Sequence, residues 1–446
     1  PTNTNPKYGG TLIFLRLEDT VELNPMLSVT DSSNMINNQI YSPLIYRGWD
    51  LSYQPDLAES WEISTDGLNY TFQLRHNVKW HDGVPFTSQD VAFTFGLYLN
   101  QSLNLPKAST YNIIDHIDTP DNYTVSFILK TPTLTLMPSG FAFWRGHLII
   151  PKHIWEGRDY LTDAEWKNPT HPIGTGPFKF VEWVKGDHLT LAKNRDYYMP
   201  GLPYLDKIIY RIVPNAATQV AALEAGECSV LHYIPESEVK RLETLEGIYV
   251  FEAYKIGLTK YIGVNQGKGY WYQGTYYGNE NPILQNKKVR QALLHAINRQ
   301  EMIDLAFGGL GRVQHSWISS KISTFYEPNV PKYEYNPTLA NQLLDEAGYP
   351  RGSDGWRFEL SIRYTAGDTP TERASEILRS QFEAVGIRLT LKAGDWAGNV
   401  ELITQRYDFD LAWHGYSTGA DPGWLISYYH SRDIKPGSWN FPRYNN

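Results

Sequence analysis

Cysteine is nearly absent from this chain, since Cys228 is the only one among its 446 residues. A single thiol excludes an internal disulfide and any metal site built from paired cysteines. No hydrophobic run reaches the roughly 20 residues that a membrane-spanning helix requires. Basic residues number 40 against 48 acidic ones, and the resulting net charge of -8 argues against a nucleic acid or an anionic membrane surface as partner.

Aromatic residues, by contrast, are abundant, with 14 Trp and 31 Tyr. One interpretation is a large aromatic core. The other is a deep cleft lined by rings that bury a large area and keep a polar tip. The length predicts two to four domains, at about 100–200 residues for each.

The most informative segment is residues 55–95. Asp66-Gly67 separates two apolar and aromatic runs, which predicts a hairpin. Apolar and polar residues alternate over 70–75, as in a half-buried strand. Thr87 lies three residues before Asp90, a variant of the capping box that begins an amphipathic helix. The local pattern therefore predicts a hairpin, a loop and a helix.

The last third of the chain predicts a parallel α/β unit. Three strand-like runs alternate with two helical stretches, and this alternation implies parallel strands with right-handed crossovers. The strand-like runs are 358–364, 387–391 and 409–413, and the helices begin at Thr371 and near Val400.

The loops after these strands are predicted to face a ligand, because open α/β sheets bind ligands at the carboxyl ends of their strands. The loops 365–368, 393–396 and 413–424 are rich in glycine, aromatic and acidic residues. The alternative is that the glycines only serve the turns. Trp396, Trp413 and Tyr416 are the aromatic candidates for lining a cleft.

Residues 415–419 match the G-x-S-x-G pattern of a hydrolase nucleophile that follows a strand. An α/β-hydrolase also needs an acid and then a histidine after the serine. His430 is the only later histidine and lies too close to Ser417, and Asp421 is the only acid between them. A serine hydrolase is therefore a remote alternative. We predict no catalytic residue, no metal site and no cofactor.

Several motifs together resemble those of the extracytoplasmic solute-binding proteins of ABC importers, family 5, the oligopeptide, dipeptide and nickel group. They are AESW (58–61), DG (66–67), WHDG (80–83), PIGTGPFKFVEWVKGD (172–187), NRDYYMPGLPYLDKIIYRIVPNAATQVAALEAGE (194–227), VRQALLHAINRQEMI (289–303) and YNPTLANQLLDEAGY (335–349). The resemblance covers nearly the whole sequence from Tyr8 onward. It implies an α/β, two-lobed periplasmic-binding-protein fold of type II with an extra subdomain in lobe I, closing on its solute by hinge motion.

The resemblance also implies domain limits. Residues 1–44 and 171–253 would form the core of lobe I, 45–170 the extra subdomain, 254–430 lobe II, and 431–446 the start of a return to lobe I. A strand within 256–265 would cross between the lobes. Family members continue beyond this point, so truncation, proteolysis or a split chain is expected. The polar start PTNTNPKYGG is typical of a mature N-terminus or of a linker after a removed leader.

The function that the resemblance implies is substrate binding for an ABC transporter. The protein would act as a monomer, periplasmic or extracellular and membrane-tethered, and would deliver its solute to membrane permease subunits. An oligopeptide is favoured, because the likeness is strongest to the peptide-binding branch. An oligosaccharide stacked on tryptophans and a nickel chelate are the alternatives.

Two departures from the family bear on the solute. Peptide-binding members carry an acid for the peptide amino terminus where this chain has residues 417–419, which leaves Asp421 as the candidate acid. Dipeptide binders hold the carboxylate with an arginine in a loop that corresponds to 365–368, and none occurs there. The remaining candidate ligand contacts are Asn24, Trp144 and Trp271.

Overall fold

The fold is described from a computed structural model. The described residues are 6–48, 50–133, 135–142, 147–251, 258–277, 280–320, 322, 325–417, 425–438 and 440–445. Internal contacts divide the chain into two compact units, Pro1–Val239 (unit 1) and Lys240–Asn446 (unit 2). The two units are defined by the density of internal contacts and not by the topology of the chain. The lobe limits given above therefore stay a prediction. None of the described helices is long and apolar enough to cross a bilayer.

Unit 1 contains a mixed sheet and an antiparallel sheet. Its strands are β1 (Thr11–Arg16), β2 (Ile45–Arg47), β3 (Tyr53–Pro55), β4 (Ala58–Ile63), β5 (Asn69–Leu74), β6 (Ile114–Asp121), β7 (Thr124–Leu129), β8 (Phe178–Val184), β9 (His188–Lys193), β10 (Lys207–Ile212) and β11 (Val230–Leu231). Its helices are α1 (Asp31–Ile40), α2 (Ser88–Leu99), α3 (Lys152–Trp155), α4 (Ala164–Lys167), α5 (Ala216–Glu224) and α6 (Glu236–Leu242), the last of which continues into unit 2. The mixed sheet has the order β11-β1-β10-β9-β8, and β1 runs parallel to both neighbours.

The antiparallel sheet of unit 1, β4-β5-β7-β6, packs on α2 through aromatic rings. Phe72, Phe95, Phe127 and Phe141 meet with centroid distances of 4.7 to 5.7 Å. The predicted hairpin is confirmed, because β4 and β5 pair around Asp66-Gly67. The predicted capping arrangement is confirmed too, since the Thr87 N–H donates to Asp90 Oδ2 at 2.9 Å.

Unit 2 is built on a four-stranded sheet. Its strands are β12 (Leu258–Val264), β13 (Tyr270–Tyr272), β14 (Thr275–Tyr277), β15 (Phe358–Thr365), β16 (Ile387–Gly394) and β17 (Leu411–Ser417). Its helices are α7 (Pro282–Gln285), α8 (Lys287–Ala296), α9 (Arg299–Ala306), α10 (Pro337–Glu346), α11 (Thr369–Ala384), α12 (Trp396–Val400) and α13 (Ile426–Tyr429). The order is β12-β17-β15-β16, and β15 pairs in parallel with both β16 and β17. This confirms the predicted parallel unit.

Two boundaries in unit 2 differ from the sequence prediction. The helix expected to begin at Thr371 begins at Thr369, because Asp368 is the N-cap residue and its carboxylate accepts the Thr371 N–H. The last strand, expected over 409–413, is β17 and covers Leu411–Ser417 instead. Asp408 and Asp410 direct their carboxylates to neighbouring segments, so regular pairing begins only at Leu411.

Candidate functional site

The parallel strands of unit 2 end at one edge of the sheet. β15 ends at Thr365, opposite Gly394, the last residue of β16, and β17 ends at Ser417. Open α/β sheets bind ligands at this carboxyl edge. The edge therefore remains the candidate site in unit 2.

Acidic side chains fix the start of β17, at the other end of that strand. Asp410 Oδ2 accepts both the backbone N–H and the hydroxyl of Ser361 at 2.8 Å, and its Oδ1 accepts Asn281 Nδ2 at 2.7 Å. Asp408 Oδ2 lies 2.6 Å from Arg363 Nη2. Both acids are thus part of the hydrogen-bonded framework at the amino end of β17.

At the carboxyl edge, Lys260 of β12 joins the loop after β15. Its Nζ lies 2.6 Å from Asp368 Oδ2 and 2.6 Å from Thr371 Oγ1. Burial opposes ionisation of Asp368, but the hydrogen bonds from Lys260 and Thr371 outweigh it and lower the pKa of Asp368. The Lys260 ammonium is therefore already paired with a carboxylate within the protein.

We expect Lys260→Met to lower the free energy of unfolding of unit 2 by up to about 1 kcal/mol, because the pair is only partly shielded from solvent. The midpoint of urea unfolding measures this loss. Lys288→Met is the matched control, since Lys288 forms a 2.8 Å pair with Glu346 in which both side chains are more exposed. An equal or larger loss in the control would contradict a specific role of Lys260.

Asn399 fixes the ends of β15 and β16 in place. Its Nδ2 donates to Tyr364 O at 2.7 Å and to Gly394 O at 3.2 Å. A Cβ at residue 394 would lie 2.9 Å from Asn399 Oδ1, so the close approach favours glycine there. Asn399 belongs to α12, and this helix begins with Trp396, whose side chain is 67% exposed. The carboxyl edge thus presents an exposed indole ring.

Trp413 faces the helix layer of unit 2. Its indole N–H donates to Ser375 Oγ of α11 at 2.9 Å, and its ring packs against the hydrophobic core of the unit. In this conformation the indole N–H of Trp413 is therefore already hydrogen bonded within the protein. A direct role of Trp413 in ligand contact stays a prediction.

The other predicted site residues are scattered. Asn24 is buried, with Nδ2 donating to Trp166 O and Oδ1 accepting the Met26 N–H. Trp271 of β13 is 72% exposed and lies 5.4 Å from the Tyr276 ring. Trp144 and Asp421 lie outside the described residues, and for Tyr416 only the backbone, in β17, is described. Within unit 2, the described side chains of Trp271, Trp396 and Trp413 form no hydrogen bond or ring contact with one another.

Unit 1 has a carboxyl edge of its own. Arg16, the last residue of β1, is fully buried, and its guanidinium donates to Thr20 Oγ1 at 3.1 Å and to Ser32 O at 2.8 Å. It also lies over the Tyr210 ring at 5.8 Å. Arg16 was not among the residues predicted from the sequence. The pattern that could have indicated it is a charged residue at the end of the apolar run TLIFLR.

A groove of about 460 Å³ opens in unit 2. Trp317, Phe325 and Tyr429 supply its aromatic walls, and Glu327 is its acidic residue. The Trp317 ring also contacts Tyr261 of β12 at 4.8 Å, which links the groove to the sheet. Such a lining suits an apolar side chain. No group of three or more potential metal-ligating His, Cys, Asp or Glu side chains occurs in the described part of either unit.

The family of bacterial extracellular solute-binding proteins, family 5 (middle region), matches residues 52–436. The chain belongs to this family. The oligopeptide-binding protein AppA of Bacillus subtilis is 30% identical over 457 aligned positions, which cover 99% of this chain and 79% of that protein. This family 5 chain is therefore the solute-binding component of an ABC transporter, as the motifs predicted.

Solved structures agree with the family 5 assignment. The ABC transporter substrate-binding protein CtaP from Listeria monocytogenes superposes with a TM-score of 0.80 at 28% identity, covering 99% of this chain and 84% of CtaP. AppA from Bacillus subtilis in complex with a nonapeptide gives 0.70 at 29% identity, covering 99% and 86%. The predicted two-lobed solute-binding fold is confirmed.

Proposed function

We propose that this protein captures an oligopeptide outside the cytoplasmic membrane and delivers it to ABC permease subunits. The observation that carries the proposal is the match to AppA, a protein named for oligopeptide binding and solved with a nonapeptide, over 99% of this chain. We further propose that the chain acts as a monomer and is tethered to the membrane surface.

The chemistry of unit 2 supports a long peptide more than a dipeptide. A short peptide is bound through its two charged ends. Binding its terminal carboxylate needs a free cation near the carboxyl edge of the sheet. Lys260 is already paired with Asp368, and no arginine occurs at 365–368. A long peptide can instead rely on backbone pairing and on pockets for its side chains, for which the aromatic groove is suited. Asp421 stays the candidate for the peptide amino group.

The proposal includes the absence of hydrolase activity at Ser417. Ser417 is the last residue of β17 and pairs with Leu258 of β12, so its backbone belongs to the sheet. A nucleophile elbow places the serine on a sharp turn between a strand and a helix. This strand position supports binding rather than turnover.

We expect random nonapeptides to raise the melting temperature of the protein, whereas maltooligosaccharides and nickel–histidine do not. Binding to the native state alone adds about 2.7 kcal/mol at a hundredfold excess over Kd, and differential scanning fluorimetry measures the shift. Ser417→Ala is the control and should give the same shift. Stabilisation by sugars or by the nickel complex alone would refute the peptide assignment, and ester turnover lost in Ser417→Ala would refute the binding role.

A further inference from the structure

The aromatic groove of unit 2 is shaped by contacts within the protein. The Trp317 ring forms one of its walls and packs against three tyrosine rings. Their centroids lie 4.8 Å (Tyr261), 5.5 Å (Tyr428) and 5.4 Å (Tyr429) from its own. The contact with Tyr429 is edge-on, at 89°, an arrangement that aromatic pairs favour. A ring held from three sides has little freedom left to lose when a ligand binds.

The groove lies close to the carboxyl edge of the unit 2 sheet. Tyr261, which the Trp317 ring contacts, pairs with His414 of β17, three residues before that strand ends at Ser417. Strands rise about 3.3 Å per residue, so this contact lies roughly 10 Å from the edge. An extended nonapeptide spans about 30 Å at the same rise. One peptide is therefore long enough to contact both the carboxyl edge and the groove.

The walls of the groove offer apolar contact and few hydrogen bonds. Ile318, Val330 and Leu425 complete the lining beside the aromatic rings. The Ser316 hydroxyl also lines the groove, but it donates to Ile318 O at 2.9 Å and accepts the Ile318 N–H at 3.1 Å. Its hydrogen bonds are thus made within its own loop. Burial of a large apolar side chain against such walls is favourable, and an aromatic ring has further ring partners there.

Glu327 adds a negative charge to this apolar lining. It is the charged residue among the described residues that line the groove, and it is exposed. Its Oε1 accepts the Asn329 N–H at 2.7 Å, which orients the carboxylate. No described lysine, arginine or histidine side chain lies within ion-pair distance of it. A cation beside the groove would gain a charge-assisted hydrogen bond, so charge complementarity favours a basic residue close to the apolar one.

We propose that the groove binds a large apolar side chain of the peptide and that Glu327 pairs with a lysine or arginine two positions away from it. This assignment rests on the proposed peptide-binding function and narrows the solute to peptides with that pattern. The spacing follows from strand geometry, because residues i and i+2 of an extended peptide project to the same side. Both side chains then meet one surface of unit 2, the apolar one in the groove and the basic one at Glu327.

The test compares three nonapeptide pools with a fixed central pattern and random, uncharged residues elsewhere. The first carries Lys-x-Phe-x-Lys, the second has serine in place of phenylalanine, and the third has acetyl-lysine in place of both lysines. The pools compete for the protein, and the retained peptides are quantified by mass spectrometry. The wild-type protein should prefer phenylalanine to serine at least about tenfold. It should prefer lysine to acetyl-lysine about threefold, as for an exposed ion pair.

Two variants separate the apolar and the charged contribution. Glu327→Gln should abolish the preference for lysine and keep the preference for phenylalanine. Glu383→Gln is its matched control, because Glu383 is also exposed in unit 2 but does not line the groove. Phe325→Ala should reduce the preference for phenylalanine at least about threefold. Its control is Tyr335→Ala, since the two rings are 48% and 45% exposed and Tyr335 does not line the groove.

Several results would overturn the groove assignment while peptides still bind, so that the proposed function survives. They are equal retention of the three pools by the wild type, an unchanged preference for lysine in Glu327→Gln, and an unchanged preference for phenylalanine in Phe325→Ala. Loss of the lysine preference when the peptide amino termini are acetylated would assign the terminal ammonium, and not a side chain, to Glu327.

A dimer in sedimentation velocity that Phe325→Ala dissociates would overturn the assignment as well, since a second copy of the chain would then occupy the groove. Retention of no peptide at all would instead refute the proposed function, and the groove assignment with it.

Discussion

Gly174→Ala is expected to destabilise unit 1 by at least about 3 kcal/mol. A Cβ at residue 174 would lie 1.9 Å from Ile40 O and 2.6 Å from Ile40 C, at the end of α1. The helix end cannot move away freely, because the Gly176 N–H donates to Ile40 O at 2.8 Å and the His81 N–H donates to Gly174 O at 2.9 Å. The added methyl group must therefore break one of these contacts.

Urea unfolding followed by far-ultraviolet circular dichroism measures the loss. Gly96→Ala is the matched control, because Gly96 is exposed within α2 and a Cβ there would meet no atom within 4 Å. Alanine exceeds glycine in helix propensity by about 1 kcal/mol, so the control should be as stable as the wild type or more so. A loss below about 1 kcal/mol in Gly174→Ala would show that α1 and residues 174–176 are not held together as described.

Local sequence patterns predicted the elements well, because their causes are local. The Asp66-Gly67 turn and the alternation in β5 depend on neighbouring residues, and both are present. The start of α11 was predicted less well. Thr371 and Asp368 are both good N-cap residues, and both hydrogen bond to Lys260, which lies 108 residues before Asp368 in the chain.

The candidate sites were harder to predict, because their residues are distant in sequence. The aromatic ring of Trp413 was selected for its place at a strand end, but only packing shows that its N–H meets Ser375 of α11. The partner of a buried polar group is a property of the folded chain alone.

Acidification from pH 6.5 to 4.5 is expected to lower the free energy of unfolding of unit 1 by about 2 kcal/mol through His147 alone. Above pH 6.5 the imidazole is neutral in both the folded and the unfolded state, so it adds no pH dependence. Below pH 6.5 the unfolded chain binds a proton, whereas burial keeps the pKa of His147 at about 3 in the folded chain. Stability therefore falls by about 1.4 kcal/mol per pH unit until the pH approaches that folded value.

His147→Gln isolates this contribution, because glutamine does not titrate. The variant should show a shallower decline in the urea midpoint below pH 6.5. It should still decline, since burial also lowers the pKa of His81, to about 4. His116→Gln is the control, because His116 is exposed beside Asp115 and its pKa is raised. Its removal therefore cannot make the loss of stability on acidification smaller. Parallel declines in the wild type and His147→Gln would mean that the imidazole is protonated in the folded protein, contrary to its burial.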